Sequence, residues 1–179
     1  EKVSRDELDR IRETLKLPRF EYGFKGDGVE LYRFRASYEE VNDSDCSLSD
    51  DVLLNAIREM GFEFDGKVYL ISDESMKFIV DEINNYKNQG INIVYYDSLY
   101  DFKFCEYSEA KIISADMLKA ILKHLMPQFR YRSNYFALPP ERPTELELIK
   151  NDIIRVWGGS TLQTFDDLST TLPLIPIDQ

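Results

Sequence analysis

Three triplets in the chain pair a carboxylate with a lysine two residues on: Asp65-Gly66-Lys67, Asp101-Phe102-Lys103 and Glu109-Ala110-Lys111. A metal-dependent nuclease uses such residues, with acids holding Mg²⁺ and a lysine positioning water or stabilising developing charge. The acid and the lysine must then share one face of a strand, as residues two apart do. Asp65-Gly66 is instead a favoured two-residue hairpin turn, and a turn breaks that alignment. The other two triplets lie in an aromatic stretch, 97–113, expected to include one or two short strands. They define the catalytic alternative, a Mg²⁺-dependent nuclease or related hydrolase using Asp101, Lys103, Glu109 and Lys111.

A second constellation is electrostatic. From Met117 to Pro140 there is no Asp or Glu, while Lys119, Lys123, Arg130 and Arg132 occur among Phe129, Tyr131, Tyr135 and Phe136. Cations that track phosphates beside rings that stack on bases make a platform for single-stranded nucleic acid. Lys119, Lys123, Arg130, Arg132 and Tyr135 are its candidate residues. Against this, strand alternation sends Phe129 and Tyr131 to one face and Arg130 and Arg132 to the other, the pattern of an ordinary half-buried strand.

Other groupings fail on geometry. An EF-hand loop started at Asp43 would place Leu48 where glycine is required and Leu54 where a bidentate glutamate is required. The acidic run from Glu39 to Asp51 is therefore a solvated loop feeding a helix. His124, the only histidine, belongs in the last turn of a helix, where a cation is favoured. Cys46 and Cys105 have no zinc-ligand spacing and are expected to be buried free thiols. Gly23, Gly26 and Gly28 precede no helix that could hold a phosphate. No cofactor is implied outside the Mg²⁺ alternative.

The elements that must position these residues follow from periodicity and caps. Helices are expected over 4–16, capped by Ser4 and stopped by Pro18; over 50–60, capped by Ser47 or Ser49 and ended by Gly61; from Ser72 to Gly90; and over 115–125, capped by Ser114. Residues 20–25 and 29–35 alternate apolar with polar around Gly26-Asp27-Gly28, which predicts a β-hairpin. A second hairpin turns at Asp65-Gly66. Residues 67–71, the helix from Ser72 and the strand 91–96 predict a βαβ crossover. Residues 128–138 are expected to be extended.

Pro139-Pro140-Glu141-Arg142-Pro143 is the linker-like stretch, so the chain divides into a mixed domain over 1–138 and a helical appendage over 139–179. In the appendage an amphipathic helix over 144–157 precedes Gly158-Gly159, and Thr164 caps a short helix with Asp167 at capping-box spacing. Pro176-Ile177-Asp178 reads as the first turn of a further helix, so an incomplete element is expected at Gln179. The pattern resembles the opening of a winged-helix unit. Between 141 and 179 there are seven acidic side chains against three basic ones, which suits docking to protein better than reading DNA.

The whole chain of 179 residues carries a net charge of −11, with 33 acidic and 22 basic residues. Such a balance repels nucleic acid and anionic membrane unless a local basic patch intervenes. No run approaches the ~18 apolar residues of a membrane span. A cytoplasmic setting follows from the cysteine usage and the absence of a leader pattern. The fold class is α/β or α+β: a mixed sheet with two hairpins and one βαβ unit flanked by helices, followed by the appendage. The function expected is a non-catalytic interaction or regulatory module with a protein partner, part of a longer protein or of a nucleic-acid-associated complex.

Overall fold

The computed structural model describes residues 2–138. They form two compact units that divide between Ser72 and Asp73. The class is mixed α+β, with seven α-helices and two small antiparallel sheets among the described residues. The boundary expected at 138–139 and the winged-helix-like appendage lie outside those residues.

The first unit contains α1 (Arg5–Leu15), α2 (Gly28–Asn42), α3 (Asp50–Met60) and a hairpin of β1 (Phe62–Phe64) with β2 (Lys67–Tyr69). Ser4 caps α1 by accepting from the Glu7 N–H, and Ser49 caps α3 by accepting from Val52. The hairpin turns where expected. Asp65 and Gly66 take φ of 49° and 74°, the left-handed pair a two-residue turn requires. Ile11, Leu15, Phe20, Phe24, Leu31, Phe34, Tyr38, Leu53 and Ile57 form the core. At its centre Phe34 meets Phe20 and Phe24, with ring centroids 5.8 Å away in each case. The two fully buried polar residues are satisfied: Thr14 donates to the Arg10 carbonyl, and Ser37 accepts from Arg19 while donating to the Arg33 carbonyl.

The hairpin expected over 20–35 is not formed. Residues 18–20 make a 3₁₀ turn, Phe24 bridges to Val68, and 28–42 is the helix α2. Helix wins because Asp27 caps it, its carboxylate accepting from the Glu30 N–H at 2.9 Å, while Glu30 reaches back to the Lys25 N–H. The Asp27 side chain thus satisfies a first-turn donor while Glu30 ties the preceding chain to the helix start, local bonds that a strand over 29–35 would forgo. Leu31, Phe34 and Tyr38 then fall on one buried face at spacings of three and four. The acidic loop accordingly begins later than expected, at Asp43, whose φ of 51° ends the helix.

The second unit contains α4 (Asp73–Asn88), β3 (Ile93–Tyr95), α5 (Tyr96–Phe102), α6 (Phe104–Glu109), α7 (Ala115–Leu125), β4 (Arg130–Tyr131) and β5 (Tyr135–Ala137). Its sheet has the order β3-β5-β4, all antiparallel. The helix and strands of the expected βαβ crossover exist, yet β2 pairs with β1 and β3 pairs with β5 in separate sheets, so there is no parallel crossover. The strands expected within 97–113 are helices instead. Tyr96 and Leu99 are buried one turn apart on α5, and Tyr107 is buried on α6. Ser114 caps α7 through the Met117 N–H, as expected.

Candidate functional site

Among the described residues of the first unit the exposed large apolar side chains are Tyr22, Val29, Tyr32 and Val41, and two of them share the outer face of α2. Val29 and Tyr32 are 63% and 76% exposed on the side opposite Leu31, Phe34 and Tyr38. Spacings of three and four carry the same face through Arg33 and Ala36 to Glu39, Glu40 and Asp43, all exposed. The helix thus bears apolar side chains on two faces, one of which the unit's core does not use. Its last turn holds no basic residue, so Glu39 and Glu40 lie against the negative end of the helix dipole. Arg19 offsets part of this, 3.4 Å from Glu40 in an exposed pair. Beside that end, Ala36, Glu39, Glu40, Asp43, Ser44 and Asp45 line an open depression of about 530 Å³. The buried Ser44 Oγ there has no hydrogen-bond partner among the described residues. Reading 29–35 as a strand hid this face. The signal that would have found it is Asp27-x-x-Glu30.

The basic island folds as α7 and the β4–β5 hairpin. Arg130 pairs with Ala137 and Tyr131 with Phe136, and the Arg132 N–H donates to the Tyr135 carbonyl at 2.8 Å. Register therefore places Arg130, Arg132 and Tyr135 on one sheet face, with Tyr131 and Phe136 on the other. Both arginines are exposed and Tyr135 is half-buried. The Tyr135 ring lies 5.7 Å from that of Tyr95, which is buried beside it on the same face. Tyr131 turns the opposite way and donates to the Leu122 and Met126 carbonyls, anchoring the hairpin to the end of α7. Lys119 donates to the Ser133 carbonyl at 3.3 Å with its ammonium 5.0 Å from the Tyr96 ring centroid, so it is partly committed to holding the hairpin turn. Lys123 is exposed one helical turn further along α7, beside the exposed His124.

The carboxylate–lysine triplets fall at helix ends. Asp101 is exposed near the end of α5, and Lys103 follows as its C-cap, 4.0 Å from Glu106. Glu109 is the exposed last residue of α6, and Lys111 follows at φ 66° in the turn beyond. Neither triplet lies on a strand, which removes the alignment the nuclease pattern invokes. Among the described residues, no three His, Cys, Asp or Glu side chains are grouped to hold a metal ion. Both cysteines are free. Cys46 is half-buried, and desolvation raises its thiol pKa, whereas Cys105 is exposed rather than buried. No helix among the described residues is long and apolar enough to cross a membrane.

Comparison of the chain with family models, curated proteins and solved structures returns no match.

Proposed function

We propose that the chain is a non-catalytic interaction module that docks a protein partner on the outer face of α2. The observation that carries this reading is the exposure of Val29 and Tyr32 on a helix whose opposite face already fills the core. Large side chains so exposed add nothing to the unit's own packing, and a tyrosine supplies broad contact area at little conformational cost when a partner covers it. The test uses the full chain against an array of peptides varying in charge and hydropathy. Val29→Ser with Tyr32→Ser is expected to weaken the peptides that bind at least tenfold, with the circular-dichroism spectrum unchanged. Mg²⁺-dependent cleavage of nucleic acid that disappears in Asp101→Asn or Glu109→Gln would replace this reading with the catalytic one.

A second reading, binding of single-stranded nucleic acid, is favoured by the strand register that puts Arg130, Arg132 and Tyr135 on one face. Two exposed cations beside one half-buried ring give a short electrostatic track with one partial stacking position. Anisotropy with labelled oligothymidylate is expected to show binding at low salt. In Arg130→Ala with Arg132→Ala, the slope of log affinity against log salt should fall by about 1.4, the single-strand value for two phosphate contacts. Absence of binding at low salt ends this reading.

A further inference from the structure

From the charge along α2 we infer the chemistry of its partner: a basic amphipathic helical segment, apolar at one end and rich in lysine or arginine at the other. The inference rests on the docking reading above and adds the partner's charge and layout. Val29, Tyr32 and Ala36 occupy the first half of the outer face with the exposed Arg33 at its edge, and Glu39, Glu40 and Asp43 the second, which is where the negative charge collects. At 1.5 Å per residue the whole face is about 21 Å long, the length of a four-turn helix laid along it. Its acidic half coincides with the C-terminal end of α2, where dipole and carboxylates have the same sign and the last turn supplies no cation of its own. A cationic segment seated there relieves both, in the open depression that Glu39, Glu40, Asp43 and Asp45 line.

Two other occupants fit less well. A second copy presenting the same face would bring its own Glu39, Glu40 and Asp43 against a surface whose acidic half repels them, unless the two helices ran antiparallel and left both acidic halves unmatched. The chain's own segment from 141 to 179 has seven acidic residues against three basic, the wrong sign for this surface.

The experiment titrates the full chain with three amphipathic peptides of about 15 residues, long enough to form helix on a surface. One is built from Leu and Lys, one from Leu and Glu, and one from Leu and Gln. The Leu/Lys peptide is expected to bind at least tenfold more tightly than the other two and to weaken as salt rises from about 50 to about 500 mM. Hydrogen exchange should slow over 29–43. Tyr32→Ala should cost about tenfold, and Glu39→Lys/Glu40→Lys/Asp43→Lys should abolish the preference. The control Asp9→Lys/Glu13→Lys/Glu59→Lys makes the same change in net charge elsewhere on the first unit and should leave most of the affinity. Equal loss in the control overturns the proposal, because the attraction would then belong to the net charge. Tyr32-dependent binding of the Leu/Gln or Leu/Glu peptide in preference to Leu/Lys overturns the partner's charge but leaves the docking reading standing. If no peptide shows Tyr32-dependent binding, both fall. A concentration-dependent rise in mass that Tyr32→Ala removes would assign the face to a second copy and overturn the proposal as well.

Discussion

A methyl group added at Gly61 would collide with Val68 Cγ1 and approach the Tyr69 carbonyl oxygen to 3.1 Å. Gly61 has φ −110°, a backbone any residue adopts, so glycine stands there because β2 crosses closely behind the end of α3. The expectation of a helix-ending glycine was right about position, but the physical requirement is clearance. Gly66 is the opposite case, with open space around it and φ of 74°. Gly28, in the first turn of α2, has open space and an ordinary φ. These differences predict an order in urea unfolding. Gly61→Ala should destabilise by about 1–3 kcal/mol, as overpacking does. Gly66→Ala should cost about 1 kcal/mol for its left-handed backbone, and Gly28→Ala should be neutral or slightly stabilising. A benign Gly61→Ala would mean that the hairpin shifts freely against α3.

At the level of elements, legibility followed the range of the interactions involved. α1, α3 and α7 were readable because Ser4, Ser49 and Ser114 cap them within three residues and each has a single apolar face. The β1–β2 turn was readable because Asp65-Gly66 dictates its backbone. α2 was missed because its apolar residues lie on two faces, which imitates strand alternation, and the Asp27 N-cap bond to Glu30 is the local feature that separates the two cases. The feature that disguised α2 is the one that makes its outer face a docking candidate, so the same error hid element and site together. The sheet partners of β2 and β3 could not be read locally. Nothing near residues 67–69 or 93–95 records that one strand pairs with the segment 62–64 just before it and the other with the distant segment 135–137. The basic island was visible from composition, whereas its usable face depended on the β4–β5 register, which also ties Lys119 to the hairpin turn.

At the scale of the whole molecule, the described residues carry their charge mostly at the surface, and their fully buried titratable groups are phenols. In the first unit Tyr38, fully buried and donating to Glu7 at 2.7 Å, is pushed up to about 12 by desolvation and then by that carboxylate. In the second unit burial raises Tyr86, Tyr96, Tyr107 and Tyr131. Glu82 adds to the effect at Tyr86, whose hydroxyl it accepts at 2.6 Å, and Tyr107 has no hydroxyl partner among the described residues. A phenol whose folded value exceeds its unfolded value of about 10 holds its proton more tightly in the folded state. Its contribution to stability is therefore complete below about pH 10 and is lost as pH rises through the folded value. For Tyr38 that window runs from about 10 to about 12. The urea midpoint should consequently be insensitive to these groups at neutral pH and fall steeply above about pH 10, with the phenolate absorbance of the buried rings appearing together with loss of helical dichroism. Growing negative charge acts in the same direction on a chain already at −11, so the wild-type slope alone does not isolate the phenols. Tyr38→Phe does: it should lower stability at neutral pH by loss of the Glu7 bond and make the alkaline slope shallower. An unchanged slope in that variant would remove Tyr38 from the account and leave the alkaline loss to the second unit's phenols and to general repulsion.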